Sequence, residues 1–140
     1  MNNRITVRTD ASKKSDWGVG IGFDATLYHE RETERMKGSK YIKQSIKTSE
    51  AEFQAVAYAV EMIYNELDGN VSEYDIVVES DHSGTPKRIK EDMNEDHDRL
   101  FWSFIEEFAS FDARWISREI NEVADSLAKS ALRNGYESRK

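Results

Sequence analysis

The chain has no cysteine, a single proline and no long apolar run. Without cysteine there are no disulfides, no thiolate nucleophile and no sulfur-ligated zinc. One proline leaves too few breakers for a disordered tail or linker. No stretch of about eighteen apolar residues exists, so no helical membrane span is expected. The opening MNNRITVRTD holds no apolar block of the kind that directs secretion, and a soluble cytoplasmic protein is the expected setting. Bases are also in the minority, with 20 lysines and arginines against 27 acids and a formal charge of −7. That balance argues against a protein that coats nucleic acid indiscriminately, because phosphate binding normally uses a basic surface. The bases are nevertheless grouped: Lys13 with Lys14, then Lys37, Lys40, Lys43 and Lys47, then Lys87, Arg88 and Lys90. Acids concentrate in 91–98 and 106–107.

What is present suits one compact domain over 1–140, because 38% apolar residues fill a modest core. ITVRTDAS (5–12) alternates, with Ile5, Val7 and Thr9 on one face, and predicts a strand ending at Asp10. KKSD (13–16) predicts a turn, and WGVGIGFDA (17–25) a second strand carrying Gly18, Gly20 and Gly22. Glycine weakens a strand interior, so three at spacing two imply close backbone approach or a bend along one face. Residues 26–37 predict a charged hairpin tip and YIKQSIK (41–47) a third, partly exposed strand.

The period then changes. Phe53, Val56, Ala57, Val60, Tyr64 and Leu67 recur at helical spacing from Thr48 to Leu67, and Asp68-Gly69-Asn70 stops the helix. IVVES (76–80) has the β-branched run of a buried central strand. Gly84 and Pro86 allow at most a short helix, after which Leu100, Phe101, Phe104, Ile105 and Phe108 mark another. ARWIS (113–117) predicts a fifth strand, and NEVADSLAKSALRNG a last helix. That helix should turn Val123, Leu127, Ala128, Ala131 and Leu132 inward and end just before Gly135. The order βββαβ(α)αβα predicts an α/β fold with a mixed sheet, antiparallel on one side and joined by parallel crossovers on the other.

Four acids fall at the places where such a sheet builds its site. Asp10 ends the first strand and Asp81 follows the central one, so parallel neighbours would present both at one carboxyl edge. Asp125 lies near the start of the last helix, and Glu52 near the start of the first. Brought together, four carboxylates repel unless hard cations neutralise them. Two Mg²⁺ or Mn²⁺ ions about 4 Å apart would do so, and such pairs serve phosphoryl transfer. Each acid also has a plainer reading. Asp10 and Asp81 suit turns, Ser49-x-x-Glu52 fits a capping box, and Asp125 complements a helix dipole. Glu50 rivals Glu52, because neither lies at the centre of the apolar stripe.

TDAS, GVGIGF, TSEAEFQAVAYAV, VVESD and WISREINEVADSLAKSA, taken in order from about Arg4 to Arg133, resemble the successive motifs of type 1 ribonuclease H domains. The last, W-I-x-R-E-x-N-x-x-A-D-x-L-A, is the most specific. The resemblance implies a five-stranded mixed sheet in the order 3-2-1-4-5 flanked by helices. It implies metal ligation by Asp10, Glu52, Asp81 and Asp125, with the S-x-A-E-x-x-A register selecting Glu52 over Glu50. It implies hydrolysis of the RNA strand of RNA–DNA hybrids with two Mg²⁺ or Mn²⁺ ions. The substrate contacts it implies are Ala11, Ser12, Lys13, Lys14, Gly18, Arg118 and Asn121. No membrane partner is expected, and a monomer is assumed. Other readings are a non-catalytic binding module on the same fold, or a related nuclease of double-stranded RNA or DNA.

Two departures stand out. Many members carry a histidine in a mobile loop before the last helix; Ile116-Ser117-Arg118-Glu119-Ile120 has none, and Arg118 there could contact the scissile phosphate or aid product release, or simply pair with Glu119 or Glu122. Some members also carry a basic helix and loop that grips the DNA strand, and only KRIKEDMNEDHD occupies that interval. Hybrid binding would then rest on Lys13, Lys14, the third-strand lysines and the bases of 87–90, with steep salt dependence. His82 reads as an ordinary hydrogen-bonding residue, and His29 and His97 receive no role. Trp102 and Trp115 read as core; Trp17 is left open between core and base stacking.

Overall fold

A computed structural model describes residues 3–91 and 98–139. The chain runs β1 (Asn3–Lys14), β2 (Gly18–Tyr28), β3 (Thr33–Ile42), α1 (Thr48–Glu66), β4 (Tyr74–Ser80), α2 (Gly84–Glu91), α3 (Asp98–Ile105) and β5 (Ser110–Trp115). A 3-10 turn (Arg118–Ile120) and α4 (Glu122–Glu137) complete it. The sheet has the order β3-β2-β1-β4-β5. β2 is antiparallel to both β1 and β3, whereas β4 is parallel to both β1 and β5. This is the expected mixed sheet. Among the described residues no helix is long and apolar enough to cross a membrane.

Strand alternation divides the sheet into two faces. Ile5, Val7, Phe23, Ala25, Leu27, Ile76 and Val78 point to one side, where Phe53, Val56, Val60 and Ile63 of α1 join Ile89 and Phe101 in the main core. On the other side α4 lies directly on Gly20 and Gly22. A β-carbon at Gly20 would stand 2.0 Å from the Ala128 carbonyl oxygen, and one at Gly22 2.8 Å from Leu127 Cβ. The glycine spacing therefore records helix-on-sheet contact. Gly18 does something else: its φ of +104° suits glycine, and its open side faces the Ile42 carbonyl.

Several expected boundaries move. β1 continues through Lys13 and Lys14 rather than turning there, because pairing with β2 runs out to Lys14↔Gly18. The third strand is 33–42, not 41–47, and most of the expected hairpin tip is strand. It is an exposed edge whose charged residues hide the alternation. β5 starts and ends earlier than 113–117. Gly135 lies inside α4, where its missing side chain makes room for the Tyr41 ring. α4 buries Ala124, Ala128 and Leu132, while Val123, expected inward, is 38% exposed. Leu100 faces solvent, and Phe108 lies beyond α3 although it is buried. Trp115 is 57% exposed and not core, because it is the last residue of β5, at the rim of the sheet. Trp102 does pack on the core. His97 and the acids of 92–97 fall outside the described residues.

Candidate active site

The parallel pairing of β1 with β4 puts Thr9 opposite Ser80, so Asp10 and Asp81 leave the sheet at the same carboxyl edge. Asp10 is 5% exposed, and its Oδ1 accepts a hydrogen bond from the Ala11 amide at 2.9 Å. Asp81 is held twice. Its Oδ2 accepts from Asn121 Nδ2 at 3.0 Å, and its main-chain carbonyl accepts from the Trp115 indole at 3.1 Å. Asp125, in the first turn of α4, pairs with Lys129 at 3.0 Å. The site draws one acid from each of four separate parts of the chain.

Glu52 enters from α1, also at 5% exposure. It continues the buried line of Val56 and Val60 at four-residue spacing, whereas Glu50 is aligned with Gln54 and bonds to it at 3.1 Å. Helical position does separate the two glutamates, contrary to the expectation from sequence. The capping-box reading also fails, since the N-cap of α1 is Lys47 with no side-chain cap bond. Glu52 Oε2 is buried without a hydrogen-bond partner among the described residues.

The electrostatics follow from that crowding. Burial first, then the charge of Asp81 and a hydrogen bond with Asp125, push the Asp10 carboxyl up to about 7. Burial, then the charges of Asp10 and Asp81, push Glu52 up to about 8, with the Arg118 guanidinium opposing the rise. Two carboxyls that hold protons near neutrality, one with an orphaned oxygen, are oxygen donors in need of a positive charge. That chemistry fits a hard divalent cation, which takes oxygen ligands from carboxylates. The side-chain arrangement is not a finished cage, however. Among the described residues no group of three or more His, Cys, Asp or Glu is placed to hold one ion.

The other expected residues lie around this edge. Ala11 and Ser12 follow Asp10 along β1, and exposed Lys13 and Lys14 extend the same strand about 10 Å further. Lys14 Nζ sits 4.0 Å over the Trp17 ring, which itself stacks on Tyr136 at 4.2 Å. Trp17 is thus already covered on part of its surface by its own chain. Gly18 approaches Ile42 of the same chain, so its open side is filled. Arg118 is exposed on the 3-10 turn. Asn121 is 1% exposed, with Nδ2 shared between the Thr9 carbonyl at 2.9 Å and Asp81. His82 is an ordinary hydrogen-bonding residue, its Nδ1 lying 3.1 Å from Thr85 Oγ1. Sequence reasoning missed the indole support of Asp81 and the role of Arg8, whose guanidinium reaches both Glu79 and Ile120. Charged residues in register on adjacent strands carry that signal, but only once the pairing is known.

The reverse transcriptase-like family matches residues 8–131. No curated protein matches by sequence. Solved structures do. The RNase H1 of the halophilic archaeon Halobacterium salinarum NRC-1 is 19% identical with a TM-score of 0.71, covering 94% of this chain and 98% of its own. The N-terminal RNase H domain of rv2228c from Mycobacterium tuberculosis, solved as a fusion with maltose binding protein, is 16% identical with a TM-score of 0.72, covering 98% and 99%. LC11-RNase H1, isolated from compost by a metagenomic approach and solved with an RNA/DNA hybrid, is 22% identical with a TM-score of 0.71, covering 93% and 97%. At such identities the likeness is one of fold.

Proposed function

The chain belongs to the reverse transcriptase-like family and is a type 1 ribonuclease H-like domain, and from that premise we propose that it is a metal-dependent endoribonuclease cutting the RNA strand of RNA–DNA hybrids. The observation that carries this reading is the burial of Asp10 and Glu52 against Asp81 and Asp125 at the carboxyl edge of β1 and β4. Asp10, Glu52, Asp81 and Asp125 would hold two Mg²⁺ or Mn²⁺ ions. When bound, such a pair supplies water activation at neutral pH and stabilises charge on the attacking and leaving oxygens.

The chain's own groups prepare that centre. The Ala11 amide fixes Asp10, Asn121 and Trp115 fix Asp81, and Lys129 restrains Asp125. Arg118 brings positive charge toward Glu52 and, being exposed, would meet a phosphate from the solvent side. Ala11 and Ser12 offer main-chain groups to 2′-hydroxyls, by which a ribonuclease distinguishes RNA from DNA. Lys13 and Lys14 supply charge for the phosphates. Gly18 and Asn121 serve this binding edge by shaping it: Gly18 at the turn into β2, Asn121 through Asp81. The hybrid bound in the LC11-RNase H1 structure supports the substrate class. The lack of cysteine suits a reducing cytoplasm.

Incubating the wild type and Asp10→Asn with labelled hybrid, double-stranded RNA and double-stranded DNA, in Mg²⁺, Mn²⁺ and chelator, tests the reading. Metal-dependent cutting of the hybrid that Asp10→Asn abolishes supports it. Binding without cutting in either metal overturns it in favour of a binding module, and preferential cutting of either duplex reassigns the substrate.

A further inference from the structure

Six residues, 116–121, join β5 to α4, and they carry both Arg118 and Asn121. Within this segment the Ile120 amide donates to the Ser117 carbonyl at 3.3 Å and the Asn121 amide to the Arg118 carbonyl at 3.1 Å. A single 3-10 turn of this kind has little cohesion of its own. It is held from outside by Arg8. In the pairing of β1 with β4, Arg8 lies opposite Glu79. Its Nε donates to Glu79 Oε1 at 3.2 Å, and its Nη1 to the Ile120 carbonyl at 2.9 Å. Glu79 is mostly buried at 14% side-chain exposure, so the guanidinium is anchored on the sheet before it reaches the turn.

The residue after that carbonyl is Asn121, whose Nδ2 spans the Thr9 carbonyl and Asp81 Oδ2. Two residues before it is Arg118, whose charge bears on Glu52. One brace therefore lies beside the hydrogen bond that ties this segment to the carboxylate cluster. We propose that Arg8 is a positioning residue for the hydrolysis: by clamping the Ile120 carbonyl to Glu79 it fixes the 3-10 turn, so that Asn121 holds Asp81. The inference rests on the hydrolytic reading above for its kinetic consequence, though not for its structural one. The fork of Arg is what makes the clamp. Its planar N–H groups address two acceptors in fixed directions, whereas a lysine ammonium is a point donor on a flexible stem. Lysine at this position keeps the Glu79 pair and releases the turn.

The test compares wild type, Arg8→Lys, Arg8→Met and Glu79→Gln in the full chain. The first measurement is made in chelator without nucleic acid: ¹⁵N spectra and hydrogen exchange of the Asn121 side-chain and main-chain amides. Both Arg8 variants should speed exchange at Asn121 about tenfold while β4 and α1 keep wild-type protection. Glu79→Gln retains an acceptor and should stay within about twofold of wild type. The second measurement is hybrid cleavage in Mg²⁺. Arg8→Lys and Arg8→Met should lower kcat about tenfold and raise KM by less, since the contacts of Ala11 to Lys14 are untouched and only Arg118, on the released turn, is loosened.

Wild-type exchange at Asn121 and wild-type kcat in both Arg8 variants would overturn the proposal. So would uniform loss of protection across the sheet, which marks Arg8 as a general stabiliser. Rescue of both readouts by lysine would remove the clamp in favour of simple charge. If Arg8→Met does not fold, Arg8→Lys decides alone. If the wild type does not cut hybrid at all, the hydrolytic reading fails while the exchange data still decide the clamp.

Discussion

Asn121 and Asp81, forty residues apart, are joined by a hydrogen bond of 3.0 Å from Nδ2 to Oδ2 inside a wall where Asn121 is almost wholly buried. The same amide nitrogen serves the Thr9 carbonyl. Asn121→Ala leaves both acceptors without this donor and should lower stability by about 1–3 kcal/mol, read by urea unfolding. Asn121→Asp should cost more, because a second carboxylate meets Asp81 with no donor between them, and the loss should grow as pH rises. Equal stability of the alanine and aspartate variants from about pH 5 to about pH 8 would contradict this account.

The raised carboxyls give a pH dependence of definite sign. Unfolded Asp and Glu titrate near about 3.9 and 4.3, whereas in the fold Asp10 is pushed up to about 7 and Glu52 up to about 8. Between those limits the folded chain binds more protons than the unfolded one, so its stability falls as pH rises. In chelator, Tm should therefore drop from about pH 4 to about pH 8 for this pair and level off above that. Asp10→Asn should flatten the drop and stabilise the chain at the alkaline end. Mg²⁺ should raise Tm more at about pH 8 than at about pH 5, since it binds deprotonated carboxylates. A Tm that climbs with pH in chelator and is indifferent to Asp10→Asn would be incompatible with these shifts.

Two glycines with the same nominal clearance should behave differently. A β-carbon at Gly20 would lie 2.0 Å from the Ala128 carbonyl oxygen, and one at Gly135 2.0 Å from Tyr41 Cγ. A helix main chain moves only with the whole helix, while the Tyr41 side chain can turn about its own Cα–Cβ bond at the cost of its hydroxyl's contacts with Trp17 and Arg139. Gly20→Ala should cost more than about 2 kcal/mol and cut activity, because α4 carries Asp125. Gly135→Ala should cost less and act chiefly on Tyr41, whose hydroxyl donates to the Trp17 carbonyl. Denaturant midpoints of the two variants decide it; a milder effect at Gly20 would mean that α4 is free to shift.

Lys13 and Lys14 extend β1 beyond Asp10 on the edge proposed above to bind the hybrid. If each meets a phosphate, replacing either with alanine should weaken hybrid binding and reduce the salt slope by about 0.7–0.9. Lys14→Ala should also change tryptophan emission, since Lys14 covers the Trp17 ring. Unchanged slopes in both variants would move the electrostatic contact elsewhere.

The order of elements and the mixed sheet were legible because periods of two and of about 3.6 leave distinct traces in apolar positions. Legibility failed where burial is one-sided or absent. β3 is an exposed edge without an apolar rhythm. Val123 fits the helical stripe but turns outward, because the adjacent Ala124 takes the inward place against Gly22. Trp115 has the composition of a core residue and the position of a rim residue. At the site, Asp10 and Asp81 were expected side by side from strand ends, although β1 runs on to Lys14 and it is its pairing with β4 that stops at Thr9. Glu52 needed the family register, although its line with Val56 and Val60 was there to be followed. Arg8 was out of reach, because its partners lie 71 and 112 residues away and only sheet pairing brings them together.

α4 meets the sheet through Ala124 and Ala128, with Leu127 and Leu132 beside them, over Gly20 and Gly22, and buries three residues where α1 buries eight. Such a seam is close in distance but poor in apolar area, so it is held by fit more than by solvent exclusion. Detaching α4 exposes far less hydrocarbon than opening the α1 side, which makes it the natural first step of sub-global opening. That partly open form would keep the α1-side core, β4 and the braced turn that carries Asn121, yet lose Asp125. Working life under heat or denaturant should accordingly be governed by the docking equilibrium of one helix, with activity lost before the sheet melts.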